Sequence, residues 1–173
     1  QLYRFAPLQT NFPANMLAIR GGRPEVLMLR DFISAFITFR EEVITRRTKF
    51  ELNKARDRAH ILLGLVVAVT NLDEVVKIIR GSSSPPVARA ALMAREWPVA
   101  EIAQYIKLVE AIETEVEGDT YQLSEVQVRA ILDLRLHRLT ALGRDEIGDE
   151  LKKLAIEIEE YLAILGDRVK LYA

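Results

Sequence analysis

The sequence contains no cysteine. That absence excludes a disulfide framework and any thiolate-held zinc or iron–sulfur site, and it fits a reducing compartment, so a cytoplasmic location is expected. Histidine is almost as scarce. His60 and His137 stand far apart and in no metal-ligand spacing such as H-x-x-x-H, so each reads as a structural side chain. No apolar run reaches the roughly 18 residues of a membrane span, and no signal peptide is visible, so no membrane partner is expected. A phosphate-binding loop is missing too, because Gly21-Gly22 is followed by no lysine–serine signature. No catalytic, cofactor-binding or metal-binding residues are therefore expected in this chain. An excess of one charge is also lacking, since 24 Lys+Arg against 25 Asp+Glu leave a net −1. The charges are unevenly spread. Residues 1–60 carry 11 basic against 6 acidic side chains, and residues 61–173 carry 13 against 19. An anionic partner would face the first part.

What is present is mostly helix-forming. Asp31 to Thr70 holds no proline and one glycine, Gly64. At about 1.5 Å per residue it would make a rod of roughly 60 Å, a length that suggests a coiled coil or an arm. Phe32, Phe36, Phe39, Val43 and Phe50 form one apolar stripe along it. Leu52, Ala55, Ala59, Leu62, Val66 and Val69 form a second, at alternating spacings of 3 and 4, a heptad seam that needs a partner helix. The stripes differ in phase, so the partner surface is expected to shift near Phe50. Gly64, flanked by apolar residues, is expected at a close helix contact. Ile147, Leu151, Leu154, Ile158, Tyr161 and Leu165 make another heptad, stopped by Gly166. That helix is expected to return antiparallel along the rod.

Shorter units fill the rest. Two apolar runs, Asn15–Arg20 and Glu25–Leu29, flank Gly21-Gly22-Arg23-Pro24 and read as a β-hairpin, with Gln1–Phe12 loop-like before it. Such a hairpin is marginal alone, so it is expected to pair with or pack on further material. Gln1 opens the chain mid-pattern, and the chain is expected to be part of something longer. After Thr70, Asp73 is expected to cap Glu74–Arg80, with Gly81 ending that helix. Ser84-Pro85 leads into Val87–Arg95, and Trp97-Pro98 opens Val99–Ala111. Ile112–Tyr121 reads as a loop. Ser124 and Gln127 form a capping box with Leu123 and Val128 as its hydrophobic staple, and Leu139–Gly143 closes the compact region. The fold class expected is mainly α, a long antiparallel two-helix coiled-coil arm with a small helical head and a short N-terminal β-hairpin. The domains expected are 1–30 for the hairpin region, 31–70 with 144–173 for the arm, and 71–143 for the head.

Two segments invite partners. Arg40, Arg46, Arg47, Lys49, Lys54, Arg56 and Arg58 are either a solvated coiled-coil face or a positive wall beside nucleic acid, binding its backbone without reading sequence. The aliphatics of Ser124–Leu142 either fill the head's own core or form a two-fold dimer seam. The acids Asp145, Glu146, Asp149 and Glu150 read as a helix start that offsets the helix dipole.

Several dispersed motifs occur in a familiar order. Arg46-Arg47-Thr48-Lys49-Phe50-Glu51-Leu52, Lys54-Ala55, Arg58-Ala59-His60-Ile61-Leu62 and Gly64-Leu65 come first. Asn71-Leu72-Asp73-Glu74-Val75-Val76 and Ile78-Ile79-Arg80 follow, then Gln127–Leu142 with Ala130-Ile131-Leu132-Asp133-Leu134-Arg135-Leu136 and Leu139-Thr140. Together with Leu8-Gln9-Thr10, Phe12 and Asn15-Met16, this pattern resembles the A-subunit family of DNA gyrase, a type IIA topoisomerase, over essentially the whole chain. The A-type subunit of topoisomerase IV shares much of it. The resemblance implies an exit gate (C-gate) at the end of a tower domain, closed by a homodimer through Ile131, Leu132, Leu134, Arg135, Leu136, Leu139 and Leu142. It implies that the seven basic residues above line a cavity for passing duplex DNA. It also implies a gyrase B partner subunit, which would hold the ATP and Mg, and a DNA-cutting tyrosine upstream. None of Tyr3, Tyr105, Tyr121, Tyr161 and Tyr172 has the context of that tyrosine. A monomeric nucleic-acid-binding coiled-coil arm, as on some tRNA synthetases, is the competing expectation.

Overall fold

With no proline to break it, one helix runs unbroken from Leu29 to Thr70, 42 residues. The computed structural model describes residues 2–11, 13–98, 106, 109, 120–134, 141–167 and 170–171, and the side chains of 141–144 stand outside the description. Before the long helix, α2, come α1 (Leu2–Phe5), β1 (Leu17–Arg20) and β2 (Arg23–Val26). After it come α3 (Leu72–Gly81), α4 (Pro85–Ala94), β3 (Glu96–Pro98), β4 (Thr120–Gln122), α5 (Glu125–Leu132) and α6 (Ala141–Gly166). The chain divides into two compact units, Gln1–Thr45 and Arg46–Ala173.

In the first unit the hairpin turn is two residues long rather than the four expected. Gly21 and Gly22 both take positive φ, +57° and +81°, as a tight two-residue hairpin turn demands and as only glycine does cheaply. Arg23 and Pro24 consequently join β2. Pro24 faces Ile19 in an antiparallel register that also pairs Leu17 with Val26. That position of the ladder exchanges no hydrogen bonds, so a residue without an N–H is tolerated there. The Leu27 N–H donates to the Met16 carbonyl at 2.9 Å and extends the ladder by one pair. Leu2–Phe5, expected as loop, forms a single helical turn, closed by Ala6 N–H donating to the Leu2 carbonyl.

In the second unit the buried face of α2 is Thr48, Leu52, Ala55, Ala59 and Leu62, spaced 4, 3, 4 and 3. Phe50 is 66% exposed and lies off this face. Phe50, on the other stripe, is out of phase with this seam, which runs on to Thr48, whose small side chain the apolar pattern could not reveal. Ile147, Leu151 and Ile158 of α6 belong to the same core, with Leu154, Tyr161 and Leu165 packed against it. Arg58 Nε and Nη2 both donate to Glu150 Oε1, at 2.9 and 2.8 Å. The two helices run antiparallel, and α6 ends at Gly166 as expected. It begins earlier than expected, at Ala141, and takes Gly143 into its first turn. One glycine in a helix costs about 1 kcal/mol, less than the packing of the heptads that follow returns. Asp145 and Glu146 are thus beyond the first residues of the helix, and Glu150 serves as partner to Arg58.

The head departs from the expected capping at α3. Asn71, not Asp73, is its N-cap, and its side chain points back: Nδ2 donates to the Val67 carbonyl at 2.9 Å. Asn71 thereby closes α2, and Asp73 falls in the first turn of α3, where an acid suits the helix dipole. Gly81 is the last helical residue, and Ser82 closes the end by donating from Oγ to the Ile78 carbonyl at 2.7 Å. α4 starts as expected, with Ser84 as N-cap and proline in its first turn. Trp97-Pro98 lies in β3, antiparallel to β4, with buried Trp97 opposite Tyr121. Trp97 is anchored on three sides. Its Nε1–H donates to the Leu92 carbonyl at 3.2 Å, and Arg95, which also pairs with Glu74, covers its ring with the guanidinium carbon 5.1 Å from the centroid. Ile106 and Val109 are helical and buried. The rest of the expected 99–111 helix and the 112–119 loop lie outside the described residues.

Candidate interaction surfaces

The capping box at Ser124 forms as the sequence predicts. Ser124 Oγ accepts from the Gln127 N–H at 3.3 Å, and Gln127 Oε1 accepts from the Ser124 N–H at 2.9 Å. The staple residues Leu123 and Val128 are both buried. The box is also tied to α2. His60 Nε2 lies 2.8 Å from Ser124 Oγ, and Gln127 Nε2 donates to the His60 carbonyl at 2.7 Å. This approach needs Gly64, because a Cβ there would lie 2.6 Å from both Cβ and Cγ of Gln127. The close contact expected at Gly64 is therefore between α2 and α5. Sequence spacing joined Ser124 to Gln127 but left Gly64 and His60 apart from them. Nothing in it showed that the box meets α2 there, and Tyr121, which joins the cluster through Gln127, was hidden in an expected loop.

The expected dimer residues separate by position. Ile131 is buried in the chain's own core. Leu132 and Leu134 are partly buried and pack against that core from its margin. Arg135, Leu136 and Leu139 lie outside the described residues, as does the side chain of Leu142 in the first turn of α6.

The expected basic lining does not form one row. Arg40 is exposed in the first unit. In the second, Arg47, Lys54 and Arg58 recur at i, i+7 and i+11 and share one side of α2, while Lys49 and Arg56 lie about half a turn away. The buried seam runs between these two rows. Arg46, Arg47, Lys49 and Lys54 are exposed. Arg58 is partly neutralised by Glu150, and Arg56 is half-buried, its Nε without a hydrogen-bond partner among the described residues. Such a surface can attract a polyanion by charge and hold no base edge. Among the described residues no group of three His, Asp or Glu side chains is placed to hold a metal ion, and no helix is long and apolar enough to cross a membrane.

Fold and surface together define a helical arm-and-head module whose distinguishing features are apolar and cationic faces. The family model of the DNA gyrase/topoisomerase IV A subunit matches residues 1–173. The chain is 50% identical over 170 residues to the DNA gyrase A subunit of Granulibacter bethesdensis, covering 98% of this chain and 18% of that one. It is 49% identical over 171 residues to the DNA gyrase A subunit of Rickettsia felis, covering 99% and 19%. It is 44% identical over 179 residues to that of Aeromonas salmonicida, covering 98% and 19%. The chain belongs to the A-subunit family of DNA gyrase and topoisomerase IV, and it spans less than a fifth of the length of these relatives.

Proposed function

We propose that this chain is the exit gate and main dimer contact of a gyrase A subunit. In this reading 71–143 is the dimer-forming head, and 31–70 with 144–173 is the arm that carries it. The whole enzyme, a type IIA topoisomerase, passes one DNA duplex through a transient break in another. A B-type partner subunit supplies ATP hydrolysis and its Mg, and two copies of this head close the way out. This chain itself contributes no cutting tyrosine. Tyr121, for one, spends its hydroxyl on Gln127 inside the core. The observation that carries the reading is the antiparallel pair α2–α6 bearing a head whose margin is apolar at Leu132 and Leu134, in a chain of this family. The exposed cations Arg47 and Lys54 suit a wall past which duplex slides, since phosphate contacts hold without sequence preference.

Sedimentation equilibrium tests the proposal. The chain is expected to be a dimer at micromolar concentration, and Leu136→Asp is expected to make it monomeric while its circular dichroism stays that of the wild type. A monomeric wild type, or a Leu136→Asp variant that dimerises unchanged, refutes the gate reading. Tight, salt-dependent binding of duplex DNA by a monomer supports the competing nucleic-acid arm instead.

A further inference from the structure

Gln127 is fully buried in a core that is otherwise almost wholly apolar. An amide side chain offers two N–H donors and an oxygen with two lone pairs. Nε2 donates to the His60 carbonyl of α2 at 2.7 Å and to Tyr121 Oη of β4 at 2.9 Å. Oε1 accepts from the Ser124 N–H at the start of α5 at 2.9 Å, and Tyr121 Oη lies 3.3 Å from it. One side chain thus joins three elements. The His60 carbonyl can only accept and the Ser124 N–H can only donate, so the amide has a single workable orientation. Gly64 supplies the space. A Cβ there would meet Gln127 at Cβ, Cγ and, at 3.0 Å, Cδ, so any other residue would hold α5 away from α2.

An apolar side chain of the same volume would fill this space without direction. Aliphatic contacts change little when a helix slides or turns slightly, whereas a buried amide loses its partners and leaves them unsatisfied. We propose that Gln127 is a positioning residue: its amide seats α5 on α2 in one register and so fixes the face that Leu132 and Leu134 turn towards a second copy. The seating stands by itself, and only its consequence for the second copy rests on the dimer reading above.

Two variants of the 173-residue chain test it. Gln127→Met keeps the volume and removes the hydrogen bonds. Gln127→Glu keeps the shape, but its ionised carboxylate has no donor for the His60 carbonyl. Burial beside that carbonyl raises the introduced carboxyl above the ordinary carboxylate range, and once neutral it recovers one donor. Gln127→Met is expected to unfold cooperatively with wild-type helix content. Its α5 amides should nevertheless exchange with solvent about ten-fold faster, and its dimer dissociation constant should rise about ten-fold. Gln127→Glu is expected to show both losses at about pH 8 and to recover towards wild type at about pH 5. His60 faces the same cluster in every variant, so the ratio to wild type at each pH is the quantity read. Wild-type exchange in α5 for both variants at the higher pH overturns the proposal. So does a Gln127→Glu defect that acid leaves unchanged, which would mark a merely space-filling role. A monomeric wild type would overturn the dimer reading alone, because amide exchange reports the seating in a monomer equally well.

Discussion

The two ends of α2 both carry apolar stripes and are oppositely buried. Phe32, Phe36 and Phe39, in the first unit, remain 42%, 61% and 60% exposed. Leu52, Ala59 and Leu62, in the second, are 5%, 0% and 0% exposed. Periodicity says that both faces want a partner, but it does not say where the partner is. For the second half, α6 and the head return within the same chain. For the first, Leu27 is the only buried residue among those described in its unit. A hydrophobic stripe is therefore a statement of need, and whether the need is met is decided by topology.

The contrast can be broken most severely at its buried end. Leu62→Ala is expected to destabilise the chain by about 3 kcal/mol, the cost of a cavity in a packed core, read as a lowered urea midpoint. Phe36→Ala should move that midpoint by less than about 0.5 kcal/mol. Equal effects would mean that the phenylalanine stripe is covered after all. Next in size is Gly64→Ala. Helix propensity alone predicts a gain of about 1 kcal/mol, but the clash with Gln127 predicts a loss of about 1–3 kcal/mol, and the loss is expected to win. A more stable Gly64→Ala protein would show that α5 can withdraw without penalty. Ser124→Ala removes an N-cap acceptor and the partner of His60, and should cost about 1 kcal/mol in the same measurement. The smallest effect is expected at Glu150→Gln. Its pair with Arg58 is half-exposed, so the change should be about 0.5 kcal/mol or less and should vanish in high salt.

Features written in local sequence were readable in advance. The capping box needs only Ser124 and Gln127 three residues apart, and the α6 heptad needs only its own spacing. The long helix was visible because nothing in Asp31–Thr70 interrupts it. β3 and β4 were not readable, since strands three residues long show no alternation and their partners lie more than twenty residues apart. Thr48 escaped notice because a hydroxyl-bearing residue on a seam looks polar on a hydropathy pattern. The core role of Gln127 escaped because the N3 residue of a capping box usually faces water. Its burial follows from Gly64, more than sixty residues earlier, and no window along the chain contains both.

The hairpin has two outer edges, and they are not alike. In its register the backbones of Leu17 and Ile19 face outward on β1, while those of Pro24 and Val26 do so on β2. Proline brings no N–H, so β2 presents a gap in the row of donors that a further strand would require. β1 presents the full row. The ribbon can therefore grow into a wider sheet in one direction only, and Pro24 makes that a one-sided joint.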